Sequence, residues 1–196
     1  MKNKELQEQR MKDYFIQATK EILKSEGLKC ISVRNIAEKA GYSYATLYNY
    51  FHDVNDLIFL CVADFQEECR TFVKDQKSNK LQGIESIKES AAEYINFFIE
   101  YPGIFDLFFW EKVGNFGNKQ EIINLIDNSL NSICKEDWEY CIAENLYAPT
   151  QVEEKKNQLK FTITGLMLFY LNRRIPASYQ DFLSSAKAHI NLALAG

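Results

Sequence analysis

Apolar residues along this chain recur at helical spacing almost throughout. Met11, Phe15, Ala18 and Ile22 are spaced four, three and four, so they form one inward stripe on a first helix. Val33, Ile36, Ala37 and Ala40 define a second stripe, and Leu57, Leu60, Cys61 and Phe65 a third along a helix from about Val54 to Asp75. Breaks fall at glycines and prolines. Gly27 follows Ser25-Glu26, where a helix end favours it. Pro102-Gly103 ends a helix of Ile84 to Tyr101, because the residue before proline avoids the helical region. Pro149 divides a helix of about Lys119 to Tyr147 from one of about Gln151 to Asn172, and Pro176 precedes a last helix of about Ser178 to Ala195. A short helix, Ile104 to Lys112, leads into the loop Gly114-Asn115-Phe116-Gly117-Asn118. No alternating run is long enough for a strand, so the expected class is all-α with about nine helices.

The densest information lies in residues 32–57. Ser32 is placed to cap a short helix, Gly41 to turn the chain in a left-handed conformation, and Ser43 to cap a second short helix. Leu47 and Tyr48 are expected to face the first helix. Tyr44, Ala45, Thr46, Asn49 and Tyr50 then form an outer face of small and polar groups suited to a DNA major groove. Asp53, with Asp56 three residues on, reads as the cap of the next helix.

Charge changes this picture little. The net charge of −4 does not by itself suggest a nucleic-acid partner. Residues 1–56 carry +1 and the remainder −5, and no Lys or Arg lies between Lys39 and Arg70. Phosphate contacts would fall to hydroxyls, helix N-termini and Arg34, which predicts a shallow salt dependence of binding. Five cysteines without a C-x-x-C pair read as free buried thiols. No apolar run reaches the roughly 20 residues of a membrane span, and Met1-Lys2-Asn3-Lys4-Glu5 lacks the apolar core of a secretory signal, so a cytoplasmic protein is expected. Phosphate-loop, dinucleotide, zinc-protease and nucleophile-elbow patterns are lacking, and the two histidines, His52 and His189, are far apart. No enzyme, cofactor or metal is therefore expected.

The run Ile36-Ala37-Glu38-Lys39-Ala40-Gly41-Tyr42-Ser43 through Thr46-Leu47-Tyr48-Asn49-Tyr50-Phe51, followed by Asp56-Leu57, resembles the N-terminal domain of TetR-family transcriptional regulators. It covers about a quarter of the chain. The resemblance implies a helix-turn-helix DNA-binding domain at 1–56 and a helical effector-binding and dimerisation domain at 57–196. It implies a homodimeric regulator, a repressor by expectation, on a pseudo-palindromic double-stranded DNA operator, released by a small-molecule effector. Ser43 and Thr46 would bond phosphates, with Ser32, Arg34 and His52 beside them. Tyr44, Ala45 and Asn49 would face base edges, and Tyr48 and Tyr50 would lay their rings along the sugar–phosphate strand. Tyr48 also reads as a packed ring. The family's usual Lys near the start of the fourth helix is replaced by Val54, which removes a phosphate anchor. A small-molecule binding protein with weak or lost DNA binding is the alternative reading.

Eight of the seventeen residues from Tyr94 to Trp110 are aromatic. They either fill a core or line an apolar effector cavity, for which Phe97, Phe98, Tyr101, Phe105, Phe109, Trp110, Trp138 and Met167 are the candidates. Phe161, Gly165, Leu168 and Phe169, with Phe182, Ala186 and Ile190 on the last helix, either cap the core of the single chain or form a dimer surface, the latter in keeping with the paired helices that join subunits in that family.

Overall fold

The computed structural model describes residues 2–78, 80–110 and 119–195. The described residues are helical, with no strand among them. In order they form α1 (Lys2–Ser25), a 3-10 turn (Leu28–Cys30), α2 (Val33–Ala40), α3 (Tyr44–Tyr48), α4 (Val54–Gln76), α5 (Gly83–Glu100), α6 (Pro102–Phe105), α7 (Lys119–Asp127), α8 (Ser129–Ile133), α9 (Lys135–Ala143), α10 (Pro149–Arg173) and α11 (Tyr179–Ala193). The chain falls into two compact units that are not contiguous in sequence: residues 1–67 with 101–127, and 68–100 with 128–196. The cut expected at 56/57 does not coincide with this division, because α4 runs unbroken past it and residues 101–127 return to the first unit.

The core of the first unit is Phe15, Ala18 and Ile22 from α1, Ile36 from α2, Leu47, Phe51, and Leu57 from α4. The expected stripe of α1 is therefore the inward one, with Met11 packed at its margin. Ion pairs brace this unit at its surface, Lys20 to Asp64 at 3.1 Å and Lys39 to Glu21 at 3.5 Å. On the part of α4 within this unit the buried positions are Leu57, Ile58, Cys61, Val62 and Phe65, whereas Leu60 is turned out. Pro102 opens α6 as its first residue, and Tyr101 before it has left the helical region (φ −124°, ψ 67°). Gly103 is required by close approach: a Cβ there would lie 2.6 Å from the Leu23 carbonyl oxygen. After α6 the helix widens into a π turn over Asp106–Trp110. The end of the expected helix Ile104 to Lys112 and the loop 114–118 lie outside the described residues.

The second unit is built around α5, which packs against α8, α9, α10 and α11. The face of α5 toward α9 is small and polar. Gly83 has a positive φ of 62°, and a Cβ on it would come within 2.9 Å of the Tyr140 ring. Asp137 of α9 sits in this seam and accepts from the Gly83 N–H at 3.1 Å, the Ser86 hydroxyl at 2.7 Å and the Lys77 ammonium at 2.8 Å. Farther along, Tyr94 and Ser129 share a buried hydroxyl–hydroxyl hydrogen bond of 2.5 Å. These buried polar groups are thus matched by partners, which is what makes their burial tolerable. Tyr170 stacks on Phe182 at 4.0 Å and locks α10 to α11. Of the five cysteines, four are buried and Cys30 is half-buried, and all are free. Burial pushes the Cys134 thiol up to about 12 and the Cys69 and Cys141 thiols in the same direction, which keeps them protonated and unreactive.

Two expectations are corrected here. The single helix of Lys119 to Tyr147 is three helices, α7, α8 and α9, because Asn128 (ψ 4°) and Cys134 (ψ 11°) leave helical geometry without any proline to announce it. Phe182, Ala186 and Ile190 do not lie on a free surface. All three are buried within the chain itself, since the apolar stripe of α11 is covered by its neighbours α5 and α10.

The Asp137 seam makes a stability prediction. Asp137→Ala should lower unfolding free energy by about 3 kcal/mol, since it strands Lys77, Ser86 and the Gly83 amide together. Asp137→Asn, which keeps the shape and one acceptor, should cost less. Urea denaturation of both variants checks the order; equal stability of wild type and Asp137→Ala would contradict it.

Candidate nucleic-acid interface

Two serines and one glycine set the geometry of residues 32–52. Ser32 caps α2, its hydroxyl accepting from the Asn35 N–H at 3.1 Å. Asn35 donates in turn from its side chain to the Cys30 carbonyl, fixing the entry of the chain. Gly41 ends α2 in the left-handed conformation (φ 77°, ψ 25°), with its N–H on the Ala37 and Glu38 carbonyls. Ser43 caps α3, accepting from the Thr46 N–H at 3.1 Å, and its hydroxyl also lies 2.8 Å from that of Thr46. Asp53 caps α4, its carboxylate accepting from the Asn55 and Asp56 N–H groups. Short-range hydrogen bonds thus hold every turn of this segment.

Leu47 faces inward and is fully buried. On the other side Tyr44 is 67% exposed and Tyr48 54% exposed, and Ala45 and Asn49 are exposed with them. Tyr48 is therefore an outward ring; the expectation that it turns toward α2 is corrected, because Leu47 and Phe51 already fill that side. Tyr50 is corrected in the opposite sense. It lies beyond the end of α3, is half-buried, and its ring sits 6.2 Å from that of Phe15, so it supports the core of the unit. Thr46 is half-buried, while Ser32, Arg34, Ser43 and His52 are exposed around the same segment.

Sequence reading passed over Tyr42 and Tyr14. The Tyr42 ring lies 6.0 Å from that of Tyr14 on α1 and 5.7 Å from that of Phe15. Tyr14 and Tyr42 are both exposed, so aromatic surface continues from α3 onto α1. The available signal was Tyr14 itself, which interrupts the polar side of the α1 pattern.

The effector candidates divide between the units. Tyr101, Phe105, Phe109 and Trp110 belong to the first, where the Phe105 and Phe109 rings are 5.0 Å apart and Trp110 is turned outward. Phe97, Phe98, Trp138 and Met167 belong to the second and are all buried. The Trp138 indole N–H is buried with no hydrogen-bond partner among the described residues.

The family model of bacterial regulatory proteins, tetR family, matches residues 15–59, the span that carries these turns and caps. The head is that of a TetR-family regulator. Solved structures extend the likeness over the rest of the chain. The transcriptional regulator FadR from Bacillus subtilis, solved in complex with stearoyl-CoA, has a TM-score of 0.73 at 16% identity, over 93% of this chain and 97% of that one. The fatty acid degradation regulator FadR from Bacillus halodurans has a TM-score of 0.68 at 17% identity, over 95% of each chain. Salmonella enterica GusR has a TM-score of 0.69 at 14% identity, over 94% and 95%. At these identities the likeness is one of TetR fold. No curated protein matches the sequence.

Gly41 gives a direct test of the turn. A Cβ there meets nothing within 4 Å, so Gly41→Ala would act through backbone strain alone. It should destabilise the protein by about 1–2 kcal/mol. Ser43→Ala should cost about 1 kcal/mol through the lost cap. Thermal or chemical melts of the two variants, with wild-type helicity retained at low temperature, check both values.

Proposed function

We propose that the protein is a homodimeric, ligand-responsive repressor whose α3 reads a pseudo-palindromic operator in two major-groove half-sites. DNA-binding transcriptional regulation is the role the TetR-family head supports. The observation that carries the proposal is the exposed set Tyr44, Ala45, Tyr48 and Asn49, presented by a helix fixed at its start by Gly41 and Ser43. Asn49 supplies a side chain able to pair with adenine, the alanine leaves room for a thymine methyl, and the tyrosine hydroxyls reach phosphates.

A surface on α10 supports the dimer. Phe161 is 68% exposed and Phe169 60% exposed, with Gly165 one turn from each and Leu168 half-buried beside them. Glycine inside a helix costs about 1 kcal/mol against alanine. A Cβ at Gly165 would meet nothing within 4 Å of this chain, so its smallness serves no contact here. Close approach of a helix from a second copy gives it a use. Leu192, 71% exposed on α11, adds to the apolar surface available.

For the effector, the buried aromatic group of the second unit and the unpaired Trp138 N–H favour a largely apolar molecule with a hydrogen-bond acceptor. The stearoyl-CoA held by the Bacillus subtilis FadR structure supports that ligand class. The second reading, a small-molecule binding protein with weak DNA affinity, draws on Val54 and on the absence of any Lys or Arg from residue 40 to 69.

Selection of duplexes from a randomised pool separates the two. The repressor reading expects an enriched motif with two related half-sites. Asn49→Ala should then relax discrimination at one base pair per half-site by about 1–3 kcal/mol. No enrichment, together with tight ligand binding, would establish the second reading instead. Phe161→Asp with Phe169→Asp should give monomers by sedimentation and lose two-site binding. Titration of a Trp110→Phe variant with long-chain acyl-CoA should change the emission of Trp138; an unchanged spectrum across acyl and aromatic ligands counts against an effector beside it.

A further inference from the structure

The reading helix lacks basic residues, so the cations of the first unit matter, and four of them are engaged. Lys12 pairs with Glu8 at 3.1 Å, Lys20 with Asp64 and Lys39 with Glu21. Lys24 lies over the Phe65 and Tyr101 rings. Arg10 is exposed and has no acidic partner among the described residues.

Its position on α1 is informative. At roughly 100° per residue, Gln7, Arg10 and Tyr14 share one face, spaced three and four, and all three are exposed. Of the acids of this part of α1, Glu5 and Glu8 are rotated well away from it, Glu8 being paired with Lys12, whereas Asp13 flanks Arg10 at i+3 and accepts from the Gln9 side chain. The face thus has acid only at its margin, at Asp13, and carries one guanidinium with no ion-pair partner among the described residues. It is also continuous with the candidate interface: Tyr14 abuts Tyr42, whose next neighbour, Ser43, caps α3. Arg10 stands one turn, about 6 Å along the axis, from Tyr14.

We infer that α1 is a second DNA-contacting element, in which Arg10 binds a backbone phosphate of the same duplex that α3 reads and Gln7 and Tyr14 line that contact. The guanidinium supplies a phosphate contact missing from α3 and from Val54. A contact of this kind positions the protein without reading sequence, so it acts equally on operator and unrelated DNA. The inference rests on the DNA-reading proposal above.

The test uses the intact protein and a duplex it has enriched from a randomised pool, with a scrambled duplex beside it. Affinity is measured by fluorescence anisotropy from 50 to 300 mM salt. Arg10→Gln should weaken binding several-fold at low salt on both duplexes and reduce the slope of log affinity against log salt by about 1.8, the value of two phosphate contacts, one from each protomer of the dimer. Tyr14→Leu should weaken binding on both duplexes with an unchanged slope. Lys135→Gln, an equal charge change at an exposed position of the other unit, is the control. A wild-type slope for Arg10→Gln, or a change no larger than that of Lys135→Gln, overturns the inference while leaving the DNA-reading proposal intact. Failure of the wild type to enrich any duplex overturns both. Arg10 is exposed and unpaired, so the melting temperature of its variant should match wild type and exclude misfolding.

Discussion

The turn at Gly41 is the constraint on which the candidate interface depends. Left-handed backbone at that position ends α2 and sends the chain into Tyr42 and Ser43, which start α3 in a new direction. A residue with a Cβ would adopt that conformation only at an energetic cost. Everything after the turn follows by short-range bonding. Ser43 fixes the first turn of α3, Leu47 takes the inward position against Phe15 and Ile36, and the opposite side, with Tyr44, Tyr48 and Asn49, is left to solvent. Five residues are too few for an independently stable helix. Here α3 persists because it is capped at one end and packed along one side.

The proposed interface would be chemically unusual for a DNA partner in using hydroxyls and aromatic rings where lysine is common. Tyrosine offers a rigid amphipathic ring with a hydroxyl at its tip, so it contacts a sugar–phosphate strand with little loss of side-chain freedom. Binding through such a surface would depend less on counterion release than binding through a lysine-rich one. An acidic chain with a near-neutral head is compatible with sequence-selective binding on these terms, because affinity for any DNA would stay low and discrimination would fall to base contacts.

The second unit solves a different problem. Its central helix α5 presents glycine and serine toward α9 and tyrosine toward α8, which allows close packing but buries polar groups. Asp137 resolves this by accepting three hydrogen bonds at once, and Tyr94 with Ser129 by bonding to each other. Polar pairing of this kind fixes the register between α5 and α9 more tightly than an apolar seam would, since a shift of one residue would leave several buried donors unpaired.

The helical class, the caps at Ser32, Ser43 and Asp53, and the turn at Gly41 were legible in the sequence. Each rests on interactions between residues within about four positions of one another, and such interactions leave a local pattern. So did the inward stripe of α1, because its spacing matches the helix period. What the sequence could not supply was which neighbour covers which face. Tyr48 points out because Leu47 and Phe51 occupy the inner side; Tyr50 points in because Phe15 lies across from it. Phe182, Ala186 and Ile190 belong to the interior because α5 and α10 cover them, whereas Phe161 and Phe169, equally apolar, stay outside. The breaks at Asn128 and Cys134 carry no proline or glycine signal. These assignments are decided by contacts between segments distant in the chain, and an apolar residue has the same local pattern whether its covering partner is its own fold or another molecule.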